Sequence, residues 1–193
     1  MAFYKEWIKN IKKVGTRLAL SILHLEEYHR MKGQIFIRGY ENGNLVLDFM
    51  TPNVIVNTAS ILVARLLKDS KEPSNGIAYL AVGTGDPGWN LQDPPAPTTT
   101  QTQLVSELFR KAVTESFYID PVTGGNAIDP TNIVDYHFNF NESEAVGAIV
   151  ELGLFGGDAT DGLNTGTMVN YRTFPVLNKT NSMAFVIIVR ITT

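Results

Sequence analysis

The sequence predicts a mainly β, α+β fold: a β-sandwich or jelly-roll-like body, with a long N-terminal helix and one or two short helices. Three observations carry this. Beyond Gln34, apolar residues recur every second position in several short runs. Gly, Asn and Pro punctuate those runs, as turns between short strands do. Before it, apolar side chains fall on alternating steps of three and four, the spacing of a helical seam. The expected division is a basic amphipathic helix over 1–33 and a β-rich domain over 34–193.

Composition agrees with a folded chain. Of 193 residues, 44% are hydrophobic and 18% charged, outside the low-hydrophobicity, high-charge range of disordered segments. With no cysteine, disulfides, zinc-thiolate sites and thiol nucleophiles are excluded. The net charge of −3 is unevenly spread: through Lys32 there are seven basic and three acidic residues, so the remainder is strongly acidic. The longest apolar stretch near the N-terminus, Leu18 to Leu25, is far short of the ~20 residues a membrane-spanning helix needs. It also makes a poor signal peptide.

Along the chain, Tyr4, Trp7, Ile11, Val14, Leu18, Leu25 and Tyr28 form the seam of a helix over 3–31, with Gly33 as its stop. The seam suits packing on the chain's own domain or on a neighbouring subunit, and the pattern does not choose. Its basic face (Lys9, Lys12, Lys13, Arg17) raises nucleic acid or a membrane surface as lesser alternatives. Gln34–Tyr40 and Leu45–Phe49 read as strands around an Asn42-Gly43 hairpin turn, the second closed by Pro52. Asn53–Leu67 reads as a helix capped by Asn57 or Thr58. A short strand, Ile77–Val82, leads into Gly83-Thr84-Gly85. Asp86–Thr102 holds four prolines (Pro87, Pro94, Pro95, Pro97) and must be an extended surface loop. Gln103–Arg110 reads as a short helix or the start of a strand, with the helix favoured. Strands are expected at Thr114–Ile119, Val134–Phe140, Val146–Phe155, Met168–Pro175 and Met183–Ile191.

The motifs that suggest chemistry do not hold together. Gly83 to Gly88 matches G-x-G-x-x-G, but it opens into prolines instead of the helix whose N-terminus would bind pyrophosphate. His24 and His29 lie about 140° apart on a helix and cannot share a metal; His137 sits alone in a strand. Glu142, Glu144 and Glu151 lack any other sign of a glycosidase-like site. Asp158 and Asp161 could hold calcium only loosely, since their spacing is not that of an EF-hand. No catalytic residue, metal ligand or cofactor is therefore expected. Candidate inter-subunit contacts are Trp7, Ile11, Val14 and Leu18 on the helix, Trp89 in the stiff loop, and Glu107 with Arg110, spaced to pair along a helix or bridge to a neighbour.

The order of segments carries a resemblance. Asn53-Val54-Ile55-Val56-Asn57-Thr58, then Tyr79-Leu80-Ala81-Val82-Gly83-Thr84-Gly85, then Leu104-Val105-Ser106-Glu107-Leu108-Phe109-Arg110 is similar to a group of tailed-phage virion proteins. Glu151-Leu152-Gly153-Leu154-Phe155, Arg172-Thr173-Phe174-Pro175 and Lys179 to Met183 continue it, so that it covers roughly 45–193. It resembles tail-fibre, baseplate or neck structural proteins. That implies a virion component assembled in the bacterial host cytoplasm, a non-enzyme, with other phage structural proteins as partners and a homo-oligomer such as a trimer or ring. No membrane role is implied, and nucleic acid is disfavoured. The alternative function is a receptor- or carbohydrate-recognising tail-tip module, with Trp89 as its aromatic platform.

Overall fold

A computed structural model describes residues 31–68 and 75–193. The expected N-terminal helix, with Trp7, Ile11, Val14 and Leu18, lies outside the described residues. Lys32–Thr192 forms one compact unit. Its elements are β1 (Lys32–Glu41), β2 (Asn44–Ile55), α1 (Asn57–Lys68), β3 (Asn75–Gly83), β4 (Glu107–Ala112), β5 (Glu115–Ile119), β6 (Asn126–Ala127), β7 (Ile133–Phe140), β8 (Gly147–Gly157), β9 (Thr167–Lys179) and β10 (Met183–Thr192).

Period-two patterning sets which face each strand buries. In β1, Gly33, Ile35, Ile37 and Gly39 are buried between more exposed neighbours. In β10 the same holds for Phe185, Ile187, Val189 and Ile191. β1 and β10 pair along their whole lengths, Ile35 opposite Val189 and Ile37 opposite Ile187, so their apolar residues form one patch. Asn42 and Gly43, at φ 50° and 80°, supply the positive φ that the β1–β2 turn requires.

All ten strands join in one antiparallel sheet, in the order β4-β3-β8-β9-β2-β1-β10-β7-β5-β6. The mainly β composition is as expected. The hydrogen bonding, however, runs continuously through all ten strands, and β2 is the link between two groups. β2 follows β1 for most of its length and meets β9 only at Val54↔Tyr171 and Ile55↔Asn170. The two groups also touch through side chains. Phe49 of β2 packs on Phe174 of β9 at 5.9 Å. Phe109 of β4, at one end of the order, packs on Phe140 of β7 at 6.0 Å.

β8 is buried throughout Ile149–Gly157, as a strand covered on both faces must be. On one face Leu152 and Leu154 stand in register with Val82 and Leu80 of β3, all four fully buried. On the other, Phe155 joins Val56, Ala81, Leu104, Met168 and Tyr171 in a cluster. Ala59 and Leu62 of α1 are also buried, and Leu62 Cδ2 lies 2.9 Å from where a Cβ on Gly156 would be. The loop carrying Leu104 thus covers this face, and α1 packs over the end of β8 at Gly156 and Gly157.

Several expectations are corrected. Gly33 does not stop a helix; it is a buried strand residue of β1. Pro52 does not close β2, which runs on to Ile55, because beside Pro52 the strand has only β1 as ladder partner and a missing N–H is tolerated there. The helix accordingly starts at Asn57. Its Thr58 hydroxyl does not cap but donates to Met168 O at 2.6 Å, tying α1 to β9. Gln103–Arg110 is not helical: Glu107 onwards is strand β4.

Truncating Leu152 to Ala should cost about 2–5 kcal/mol, the usual range for a fully buried leucine. Thermal unfolding would show this as a Tm lower by roughly 5–15 °C. Leu67→Ala, at an 81% exposed position, should change stability by no more than about 0.5 kcal/mol.

Candidate assembly interface

The segment between β3 and β4 is the long proline loop, and its course follows from what its ends are bonded to. β3 ends in Gly83. Gly85, at φ +67°, has no room for a side chain, since a Cβ there would lie 2.5 Å from the Trp89 ring and 2.8 Å from Val150. Trp89 therefore lies over the backbone of Gly85, half-buried. It is placed by a turn in which its N–H donates to Asp86 O at 3.0 Å and Gly88 N–H donates to Asp86 Oδ1 at 2.7 Å.

Both ends of the loop are held by one carboxylate. Glu151 sits in the middle of β8 with 0% exposure. Oε1 accepts from Gly85 N at 3.2 Å and Ser106 N at 2.9 Å. Oε2 accepts from Val105 N at 3.0 Å and the Tyr171 hydroxyl at 2.7 Å. Four donors meet a buried charge that would be costly unpaired. Tyr171 is pushed well above the usual phenol range, first by burial and then by the hydrogen bond and charge of Glu151. Its proton therefore stays in place to serve Glu151.

Between its ends the loop lies along the chain's own body. Val176 N–H donates to Leu91 O at 2.8 Å, the Thr173 hydroxyl to Pro95 O at 2.7 Å, and Asn57 N–H, at the start of α1, to Thr99 O at 2.8 Å. Prolines restrict the unbonded state of such a loop as well, so holding it in one shape loses less entropy.

Glu107 and Arg110 are brought together, though on a strand. Val82 pairs with Phe109 and Gly83 with Glu107, leaving Leu108 as a bulged extra residue. The bulge resets the alternation so that positions 107 and 110 share a face. Arg110 Nε donates to Glu107 Oε1 at 2.6 Å, with both side chains buried. Its Nη1 also donates to Thr160 O at 2.8 Å and to Thr165 O and Oγ1 at 3.1 and 2.8 Å. Asn164 N–H donates to Glu107 Oε2 at 2.8 Å. The 158–166 loop, which holds Asp158 and Asp161, is thus wrapped around a guanidinium that stacks 5.0 Å from the Phe155 ring centroid.

The other carboxylates flagged in the sequence have separate surroundings. Glu144 accepts from Lys111 Nζ at 2.7 Å on both oxygens. Burial pushes its carboxyl up, but Lys111 and the Asn141 amide outweigh that and hold it below the usual range. His137 stands edge-on to Phe117, ring centroids 5.2 Å apart. Among the described residues, no three His, Asp or Glu side chains gather as a metal site, and no helix is long and apolar enough to cross a membrane.

Among the polar residues that the loop and α1 expose stand several large apolar ones. Ile61, Leu66 and Leu67 on the helix are 56%, 45% and 81% exposed, and Leu91 and Val105 on the loop 38% and 45%. The Asn57–Thr99 bond makes helix and loop neighbours. The sequence reading missed Glu151 as the organiser, although a charge in the middle of an apolar strand is itself the signal of a buried partner set. It also missed the outer side of α1.

A family model described as "Baseplate wedge 3 tail fiber network component" matches residues 54–152, just over half of the chain. The span runs from the end of β2 through α1, β3, the loop and β4 into β8. It includes Glu107, Arg110 and Glu151. No curated protein matches the chain.

If Glu151 holds the loop, Glu151→Gln leaves at least one backbone amide facing an NH2 group. Stability should fall by about 1–3 kcal/mol, and hydrogen exchange at Val105 and Ser106 should speed up. The raised Tyr171 pKa gives a pH signature. A group whose folded pKa exceeds its unfolded value stabilises fully below the unfolded one and loses that contribution as pH rises towards the folded one. Stability should therefore decline above about pH 10, and Tyr171→Phe should flatten that decline in denaturant titrations at several pH values.

Proposed function

The chain belongs to the baseplate wedge 3 tail fibre network family, structural proteins of the tailed-phage baseplate and tail fibres, and from that premise we propose that it joins neighbouring tail proteins through a pre-shaped surface. The working surface is the outer side of α1 together with the proline loop. It acts by shape complementarity, as part of a homo-oligomer or of a mixed ring, with other virion proteins as partners and no chemical step. The body behind it is a sheet closed on itself in the manner of a sandwich, which supplies rigidity. Assembly in the host cytoplasm precedes incorporation into the particle.

The observation that carries this reading is a fixed loop that meets the start of α1 at Asn57, with exposed apolar side chains on both elements. A loop held by Glu151 at both ends, and by Val176, Thr173 and Asn57 between, loses little entropy on docking. Large apolar side chains such as Leu67 gain from being covered. Trp89 serves the loop's shape, with its ring against Gly85. Glu107 and Arg110 act on assembly by fixing the 158–166 loop and the start of β4. The seam residues Trp7, Ile11, Val14 and Leu18 are proposed as a second contact between subunits.

Size-exclusion chromatography with light scattering, on the chain alone and mixed with other baseplate proteins, tests the proposal. The double variant Ile61→Ser, Leu67→Ser should keep its Tm within a few degrees, because both positions are exposed, yet weaken association tenfold or more. A strictly monomeric chain that binds no other virion protein would contradict the reading.

A further inference from the structure

Among the described residues, the buried side-chain nitrogen and oxygen atoms without a hydrogen-bond partner are four: both amide atoms of Asn53, Nδ2 of Asn170 and Nε of Arg172. They fall in one place. Val54 pairs with Tyr171 and Ile55 with Asn170, so Asn53 and Arg172 stand one residue beyond the point where that short pairing ends. Residues opposite one another, and residues two apart on one strand, share a face. Asn53, Asn170 and Arg172 therefore project from the same face of the sheet, at the fork where β2 leaves β9.

The fork is shaped for polar groups. Asn53 is opposite Gly33 of β1, and a Cβ on Gly33 would fall 1.9 Å from Asn53 Oδ1, so only glycine leaves room for that amide. Asn170 is fully buried, and its Oδ1 accepts from Leu154 N at 2.8 Å. That bond fixes the amide and leaves Nδ2 as a donor. Arg172 is half-buried and makes none of the ion pairs given to Arg38, Arg110 and Arg190. Burial lowers its pKa with no carboxylate acting against it. Buried polar groups in folded proteins are nearly all paired, and three unpaired donors here, Arg172 Nε and the Nδ2 atoms of Asn53 and Asn170, are a departure that calls for an accepting ligand.

We propose that this fork is a carboxylate-binding site, in which Arg172 supplies the charge and the amide nitrogens of Asn53 and Asn170 donate the remaining hydrogen bonds. The guanidinium is a planar fork that matches the two oxygens of a carboxylate. A single positive charge flanked by neutral amides suits a monoanion better than a phosphate dianion. The carboxylate belongs to a small acid or to an acidic side chain of a neighbouring protein. The site is independent of the assembly surface proposed above, which lies on α1 and the proline loop, and either can fail without the other.

Thermal unfolding of the full chain in sodium acetate against sodium chloride, at matched ionic strength, tests this. When acetate reaches ~10 times its Kd, Tm should rise by about 3 °C, and phosphate should give a smaller rise. Arg172→Met should abolish the acetate response while keeping or raising Tm in chloride, since an uncompensated charge is removed. Asn53→Ala should weaken the response with Tm retained. A blocked pentapeptide with one central glutamate binding more tightly than acetate would assign the site to a protein side chain; equal binding would assign it to a small acid. The proposal is overturned by no rise in the wild type, by an equal rise in Arg172→Met, by a phosphate response matching that of acetate, or by a Tm for Arg172→Met several degrees lower in chloride. Should that variant not fold, the Arg172 Nε–H resonance of the wild type decides: it shifts on acetate titration if the site is real and stays fixed if it is not.

Discussion

Glu151 is a charge placed on a strand that is buried on both faces, and much of the surrounding architecture answers that constraint. A carboxylate in such a position needs donors on every side, and the chain supplies them from three separate stretches: the exit of β3, the approach to β4, and β9. Each donor fixes something further. Gly85 sets the loop's first turn and the seat of Trp89; Val105 and Ser106 set where β4 begins; Tyr171 sets the level at which β9 passes. The twenty or so residues between Gly85 and Val105 are thereby given fixed ends, and their prolines limit what they can do between them.

A second charge performs the same service for the neighbouring loop. Arg110, turned by the bulge at Leu108 to the side of Glu107, gathers carbonyl and hydroxyl oxygens from Thr160 and Thr165. The loop that in sequence suggested a loose calcium site has a guanidinium at its centre. In both cases a buried ionic group orders backbone that has no ladder of its own. This is how a β protein extends rigidity beyond its strands, and it suits a structural part of a tail baseplate.

Local patterning made most of the strands legible. The alternation in β1 and β10 and in Val134–Phe140, and the Asn42-Gly43 turn, each reflect a constraint a few residues long. The errors arose where a distant partner decided. Pro52 looked like a terminus because the single-sided pairing of β2 is visible only once β9 is in place. Gln103–Arg110 suited a short helix or a strand start, and the spacing of Glu107 and Arg110 did not decide, because a bulge opposite Gly83 brings them together as well as a helix would. Of the surface now proposed for assembly, the stiff loop and Trp89 could be read in the sequence. The outer residues of α1 could not, since Ile61 and Leu67 look like core until the buried side of the helix is known to be Ala59 and Leu62.

α1 and the proline loop are proposed as the face this protein turns to its neighbours in the baseplate. Hydroxyl-radical footprinting of the free chain and of the chain within assembled particles measures this directly. Ile61, Leu66, Leu67 and Leu91 should react in the free chain and become protected in the particle, while Leu152 and Leu154 are protected in both. Unchanged reactivity at α1 and the loop in the particle, with protection appearing on another face, would contradict the proposal.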